Sequence, residues 1–218
     1  MGIILSPLFT DARGTLGNII IYKVKDQVRI RAKPAGHRDR KSAKQLKQRA
    51  KMKTALGLYQ CLDYAFKRSW QIGAESLPMN GCNLFIRENI GHIGADGEVA
   101  DWASLKISHG SLLQAKHPRM EDGKGNTLTV SWETDDLEAI EFDDLVQIGV
   151  YGYLEDEEES GIHYLRKVKC NRLAGKCTFE IPEGEGILHF YLCFKSIYTN
   201  DASDSVYLGS REACPRSK

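Results

Sequence analysis

Short segments of alternating apolar and polar residues follow one another from Leu112 to Leu208. Alternation sends every second side chain to the same face of a strand, so residues 127–132 present Leu128, Val130 and Trp132 together. Turn-bounded strands without a helical period are typical of a β-sandwich, and a tryptophan in an early strand can fill the space between its sheets. The sequence predicts strands at residues 106–113, 127–132, 145–151, 162–168, 177–181, 188–195 and 205–208. We therefore expect an all-β sandwich of the immunoglobulin or fibronectin-like kind in this half of the chain.

A β-hairpin is predicted near the start of the chain, at residues 17–34. β-Branched segments flank a turn-like triplet at residues 25–27, which is the usual pattern of two paired strands. Pro34 ends the second strand because proline cannot donate to a β-ladder. That strand alternates apolar with basic side chains, so we expect one apolar face and one face with a row of cations. The basic residues of the row are Arg29, Arg31 and Lys33.

Two helices are predicted between the hairpin and the sandwich. Ser42 and Gln45 have the capping-box pattern, in which each side chain accepts a hydrogen bond from the other residue's backbone N–H, so the first helix should begin there. Its second half has apolar residues at three- and four-residue spacing, namely Ala55, Leu58, Tyr59, Leu62, Ala65 and Phe66. A second helix is expected at residues 79–90, and the glycine-rich residues 91–97 are a predicted linker.

The predicted fold class is therefore α+β, with two domains. A chain of 218 residues with 42% apolar residues can supply a core for each. We assign residues 1–104 to a basic hairpin-helix head and residues 105–218 to the β-sandwich domain.

Charge separates the two halves of the chain. Residues 1–110 contain 18 basic and 9 acidic residues, whereas residues 111–218 contain 12 basic and 20 acidic residues. Locally, residues 13–53 hold fourteen basic and two acidic residues, and residues 121–160 hold fourteen acidic residues and the single base Lys124. Blocks of one charge sign inform us about partners and solubility more than about fold.

The basic block of the head is the strongest functional signal in the sequence. Clustered cations bind anionic surfaces, so three interpretations stay open: an acidic protein partner or another copy of this chain, a nucleic-acid backbone, and a merely solvated face. Tyr22 is the one aromatic residue between Arg13 and Lys53, whereas nucleic-acid readers often add several stacking groups. The candidate binding residues are Arg29, Arg31, Lys33, Lys44, Lys47, Arg49 and Lys51.

The sequence carries no recognisable catalytic, metal or cofactor motif. The acidic run at residues 155–159 lacks the alternating ligands and turn glycine of a calcium loop, and the six histidines show no HxxxH or HExxH spacing. No serine occupies a GxSxG elbow, and the six cysteines form no CxxC pair. We expect a protein that is not an enzyme, with no catalytic residues, no metal site, no cofactor and structural free thiols.

The first ten residues lack a basic leader, and Pro7 interrupts their apolar run, so no signal peptide is expected. No apolar run approaches the roughly 20 residues that span a bilayer, which predicts no membrane partner. These features favour a cytoplasmic protein or a component of a virion-like assembly.

Several short motifs resemble, in their order, a family of uncharacterised bacterial proteins, found mainly in Bacteroidota, labelled domain of unknown function 6266. The resemblance spans nearly the whole chain and implies a bacterial, non-enzymatic protein linked to phages or mobile elements. It transfers no functional residue, and members usually have a glycine-rich, less basic first hairpin than the one around Arg29. The motifs are Arg29-Ile30-Arg31-Ala32-Lys33-Pro34, Gln45 with Arg49, Asn83-Leu84-Phe85 with Asn89, Ser108-His109-Gly110-Ser111-Leu112, Thr129-Val130-Ser131-Trp132 and Ser205-Val206-Tyr207-Leu208-Gly209.

Overall fold

The computed structural model describes residues 2–4, 11–24, 27–36, 39–134, 143–152, 165–181 and 186–213. The fold is mixed α+β: a small N-terminal sheet is followed by three helices and two further antiparallel sheets. The predicted α+β class is confirmed at this level.

The N-terminal sheet contains the predicted hairpin and two strands that were not predicted. Its strands are β1 (Gly2–Ile4), β2 (Gly14–Leu16), β3 (Ile19–Val24) and β4 (Gln27–Ala32). They pair antiparallel in the order β1-β4-β3-β2, and β3 with β4 forms the predicted hairpin. Val28 is the one apolar side chain of the described part of this sheet that is fully buried, so most of the sheet lies near the protein surface.

Both predicted helices are present and begin near the predicted positions, but the first one ends early and a helix that was not predicted lies between them. They are α1 (Ala43–Cys61), α2 (Tyr64–Gly73) and α3 (Gly81–Asn89). The capping box at Ser42 is confirmed, because Ser42 N–H donates to Gln45 Oε1 at 3.0 Å and Gln45 N–H donates to Ser42 Oγ at 3.4 Å. The apolar stripe that predicted one long helix is divided at Asp63, whose carboxylate accepts hydrogen bonds from two backbone N–H groups and caps α2.

The two remaining sheets share an apolar core. One contains β7 (Leu145–Gly152), β8 (Leu165–Asn171), β10 (Ile187–Lys195) and β11 (Val206–Glu212), in the order β11-β10-β7-β8. The other contains β5 (Lys116–Asp122), β6 (Thr127–Glu133) and β9 (Lys176–Glu180), in the order β5-β6-β9. Six of the seven predicted strands are confirmed in this way, whereas β5 was missed because its sequence does not alternate. Leu128, Val130 and Trp132 of β6 pack with the inward residues of β7 and β10 as predicted.

The helices cover the other face of the β7–β10 sheet. Tyr151 and Tyr191 belong to a second cluster of buried residues, which we call the helical core and which includes Leu58, Trp70 and Phe85 of the helices. Each tyrosine also donates a hydrogen bond to a backbone carbonyl on this side of the sheet. Tyr151 donates its hydroxyl to Leu58 O at 3.0 Å, and Tyr191 donates to Trp102 O at 2.7 Å. Helices, sheet and second sheet therefore form three successive layers.

The predicted strand at residues 106–113 is wrong. Asn89 Nδ2 donates to Lys106 O at 3.0 Å, Asn89 Oδ1 accepts from Lys106 N–H at 2.8 Å, and Ser205 Oγ accepts from Ile107 N–H at 2.9 Å. Because side chains satisfy these backbone groups, the segment needs no β-ladder and stays irregular.

Asp204 fixes the same segment to the end of the β10–β11 connection. Its carboxylate accepts from Lys106 Nζ at 2.9 Å and Gly110 N–H at 3.1 Å, and its Oδ1 lies 3.2 Å from His109 Nδ1. Burial alone would raise the pKa of Asp204, but these hydrogen bonds outweigh burial and hold that pKa well below its usual range.

The glycine-rich linker predicted at residues 91–97 is instead a packed turn. Ile93 is buried in the helical core, Gly94 N–H donates to Glu98 O at 2.7 Å, and Thr54 of α1 donates its hydroxyl to Gly97 O at 2.5 Å. The division into domains at residues 1–104 and 105–218 stays a prediction.

Candidate functional site

The hairpin cations lie on one face of the N-terminal sheet together with Tyr22. In the β3–β4 register Tyr22 stands directly opposite Arg29, so both side chains point to the same side. The Arg31 guanidinium carbon lies 5.7 Å from the centre of the Tyr22 ring, within the range of a cation–π contact. We call Arg29, Arg31 and Tyr22 the arginine face. Lys33 follows the end of β4 and is exposed, with its backbone N–H bonded to Asn18 O at 2.7 Å.

The Arg29 side chain is more buried than that of Arg31. Its Nη2 donates to Gln27 Oε1 at 3.0 Å, and the side chain borders a groove of about 370 Å³ between the sheet and residues 75–78, which follow α2. Its Nε–H is buried and makes no hydrogen bond within the described part of the chain. Arg29 is therefore half-buried, whereas Arg31 is exposed.

Three of the predicted helix cations form a single row on α1. Lys44, Lys47 and Lys51 stand at positions i, i+3 and i+7, which places them on one side of the helix, and we call this row the lysine stripe. The same side is buried one and two turns later, at Leu58 and Leu62. Lys44 and Lys47 are exposed and Lys51 is half-buried. The lysine stripe thus prolongs the core-facing side of α1 beyond the end of the core.

The lysine stripe has no acidic counterpart on its own helix. Residues 43–61 contain five basic residues and no Asp or Glu. Among the residues that the structure describes, none of the three lysines lies in an ion pair. Within that part of the chain, no acidic side chain neutralises the lysine stripe.

Arg49, in contrast, is already paired. Its Nη1 lies 2.6 Å from Asp39 Oδ2, and its side chain projects from the helix side opposite to the lysine stripe. The hydrogen bond from Arg49, followed by one from Lys41 N–H, lowers the pKa of the Asp39 carboxyl, and the same carboxylate raises the pKa of Arg49. Of the candidate binding residues, Arg49 is the one whose charge Asp39 neutralises.

The predicted site residues therefore divide into the lysine stripe and the arginine face, with Lys33 beyond the strand end and Arg49 in an ion pair. Sequence reasoning missed two contributors. Tyr22 could have been found from the hairpin register, because pairing of Val24 with Gln27 places Tyr22 opposite Arg29. Asp39 lies ten residues before Arg49 in a loop, and no periodic pattern connects the two.

Burial keeps two cysteine thiols and one histidine side chain in their uncharged forms at neutral pH. Burial raises the pKa of the Cys177 and Cys193 thiols to about 12, so both stay protonated at neutral pH. Burial also lowers the pKa of His189 to about 4, and its ring stacks on Trp102 with centroids 4.1 Å apart. Cys61, Cys82 and Cys170 form no disulfide in the described part of the chain.

Metal ligands do not gather in the part of the chain that the structure describes: no three His, Cys, Asp or Glu side chains there are placed to share an ion. The acidic run at residues 155–159 lies outside the described residues. Eleven of the twenty acidic residues of the second half lie in residues 135–142, 153–164 and 182–185, which are also outside them.

No protein-family model matches the chain, and no curated protein is significantly similar to it. Among the described helices, none combines the length and the apolar character that a membrane crossing requires.

Proposed function

We propose that this chain is a non-enzymatic structural or interaction protein whose basic hairpin-helix head docks on an acidic protein surface. The observation that carries the proposal is the lysine stripe, because it presents aligned cations on a helix without acidic residues. Exposed cations of one sign attract a surface of opposite charge and repel a second head of the same kind. The resemblance described above suggests a phage or mobile-element assembly as the setting.

The second half of the chain would serve as a rigid support. We propose that its two sheets form an immunoglobulin or fibronectin-like sandwich, and the packing of Trp132 between them supports this interpretation. The ring centres of Trp132 and Phe194 lie 5.7 Å apart and their planes meet at 68°, which is an edge-to-face arrangement that aromatic pairs prefer.

Another copy of this chain is one candidate for the acidic surface. Residues 121–160 carry fourteen acidic residues, so the head of one copy could contact this region of the next. Such a head-to-tail contact closes into a ring or continues as a filament. Light scattering of the full chain at low and at high salt tests this version. Assembly at low salt that salt reverses is expected, and a concentration-independent monomer at low salt would rule out self-association.

A nucleic-acid backbone is the alternative ligand, and the arginine face is the observation that favours it. Tyr22 stands opposite Arg29 and its ring centre lies 5.7 Å from the Arg31 guanidinium carbon, and an aromatic ring beside guanidinium groups can stack on a base while the cations contact phosphates. In that case the logarithm of affinity should fall with the logarithm of salt concentration by about 0.9 per phosphate contacted, with little sequence preference. Absence of duplex or single-stranded DNA binding at roughly 50 mM salt would remove this alternative.

The two ligand classes can be compared directly on the unmodified chain. Fluorescence anisotropy would measure its affinity for a labelled polyglutamate and for single-stranded DNA with the same number of charges. Tighter binding to polyglutamate supports the acidic protein surface. Tighter binding to DNA, or no binding to polyglutamate at low salt, would contradict the proposal.

A further inference from the structure

Two cysteines lie at an edge where the two large sheets come together. Cys170 is near the end of β8 in one sheet, Cys177 is in β9 of the other sheet, and these two strands contact each other. A single 3₁₀ turn at Arg172–Ala174 connects them. Cys177 belongs to the apolar core between the sheets, and Cys170 packs against the same core while partly exposed. We call the two residues the edge cysteines.

The Cys170 sulfur lies against the peptide group that precedes Cys177. Its S–H is within hydrogen-bonding distance of two carbonyl oxygens, Asn171 O at 3.4 Å and Lys176 O at 3.4 Å. Lys176 O belongs to the peptide bond that leads into Cys177, and standard peptide dimensions place Cys177 Cα about 2.8 Å from that oxygen. The Cys170 sulfur is therefore no more than about 6 Å from Cys177 Cα, and a rotation of the Cys177 side chain about χ1 can direct its sulfur towards it.

The electrostatic influence of one thiol on the other is a second sign of their proximity. Burial raises the pKa of Cys177 to about 12, and the charge of Cys170 adds to that effect. Burial also raises the pKa of Cys170. Both thiols are therefore neutral at neutral pH, so the two sulfurs can lie side by side without repulsion between thiolates.

The edge cysteines differ in their access to solvent. Cys177 is 6% exposed, whereas Cys170 is partly exposed at the margin of the core. A dissolved oxidant therefore reaches Cys170 first, and Cys177 is the neighbouring thiol that can complete the reaction. The raised pKa of Cys170 leaves a small thiolate fraction at neutral pH, so we expect this reaction to be slow.

We propose that the edge cysteines are a redox modification site, which a small-molecule disulfide converts into an intramolecular Cys170–Cys177 disulfide that stabilises the fold. The Cys170 thiolate attacks one sulfur of the reagent R–S–S–R, whose S–S bond breaks, and the released R–S⁻ takes up the proton that Cys170 lost. The Cys177 sulfur then attacks the Cys170 sulfur of the mixed disulfide, and the second R–S⁻ leaves and takes up the Cys177 proton. The two cysteines lose two electrons, and the reagent gains two and becomes two R–SH.

The new bond would connect the two large sheets at one edge. The segment that it closes contains Arg172, whose backbone O accepts the Trp132 indole N–H at 2.7 Å and whose Nη1 lies 3.3 Å from Asp144 Oδ2. A cross-link restricts the unfolded chain, so the oxidised chain should melt at a temperature higher by about 5 °C than the reduced chain.

The experiment incubates the folded full chain with oxidised glutathione, blocks the remaining thiols with iodoacetamide and analyses a tryptic digest by mass spectrometry. Trypsin cuts after Arg172 and Lys176, so Cys170 and Cys177 leave in separate peptides that only a disulfide joins. The expected product is this joined pair, lighter by two hydrogen atoms than the two free peptides and separated again by dithiothreitol. The melting temperature of the same samples is measured before and after oxidation.

Two variants serve as a test and a control. Cys170→Ser removes the accessible thiol and should abolish both the joined peptides and the rise in melting temperature. Cys82→Ala removes a thiol of similar exposure from α3 and should leave both unchanged. Circular dichroism of the reduced chains establishes that both variants are folded.

Several outcomes would overturn the proposal. These are alkylation of both edge cysteines after oxidation, a glutathione adduct on Cys170 that does not proceed to the disulfide, and a Cys170 disulfide between two chains. A melting temperature that oxidation leaves unchanged would contradict the stabilising role of the bond. None of these measurements involves an acidic ligand, so their outcome is independent of the proposed function.

Discussion

Replacing Trp132 with alanine tests whether the two large sheets share one core. The side chain is 6% exposed, packs edge-on against Phe194 and donates its indole N–H to Arg172 O at 2.7 Å. Removing a buried tryptophan costs about 3–5 kcal/mol in unfolding free energy, and a lost hydrogen bond contributes roughly 1 kcal/mol of that range. For a chain of this length each kcal/mol lowers the melting temperature by about 2–4 °C, so we expect a decrease of about 6–20 °C.

The assay is thermal and urea unfolding followed by far-ultraviolet circular dichroism, which does not depend on tryptophan fluorescence. The melting temperature of Trp132→Phe should lie between those of the unmodified chain and Trp132→Ala, because this variant keeps an aromatic ring and loses the indole N–H donor. Tyr64→Ala is the matched control, since Tyr64 is 75% exposed and its removal leaves no cavity. A melting temperature of Trp132→Ala within about 2 °C of the unmodified chain would refute the packing of the two sheets around Trp132.

Two further predictions concern the contact between residues 106–110 and the β10–β11 connection. The folded-state pKa of Asp204 lies below its unperturbed value of 3.8, so the ionised carboxylate stabilises the fold above that pH and the contribution is lost as the pH falls below it. Asp204→Asn should therefore lower stability at neutral pH, and the difference from the unmodified chain in urea unfolding should shrink below about pH 4; a constant difference would contradict this. Gly110→Ala would place a methyl group against the Ala202 carbonyl oxygen and should lower the melting temperature, whereas Gly57→Ala, in open space on α1, should keep or raise it. Equal melting temperatures for the two alanine variants would show that the Gly110 contact is not tight.

Local sequence rules predicted the elements whose backbone groups are satisfied within the element or its neighbour. The capping box at Ser42 and the alternation in β6 and β10 are examples, because each depends on residues close in sequence. The break at Asp63 was missed because an uninterrupted apolar stripe passes through it. The segment at residues 106–113 was misassigned because its backbone partners, Asn89 and Ser205, lie far away in the chain.

The candidate site was predictable to a similar extent. The spacing of Lys44, Lys47 and Lys51 places them on one side of any helix, so the sequence contains the lysine stripe once the helix is accepted. Neutralisation of Arg49 by Asp39 was not predictable, because it depends on the path of the loop before α1.

The most direct test of the account is the affinity of two charge-matched variants for polyglutamate. Lys44→Gln/Lys47→Gln/Lys51→Gln removes the lysine stripe, and Arg119→Gln/Lys124→Gln/Lys176→Gln removes three exposed cations from the second half of the chain, so both variants have the same net charge. At roughly 50 mM salt, where charge contacts are weakly screened, the stripe variant should bind at least about tenfold more weakly than the unmodified chain, and the control should bind almost as well as it. Equal losses in the two variants would mean that net charge alone drives binding, which would contradict docking through the basic head.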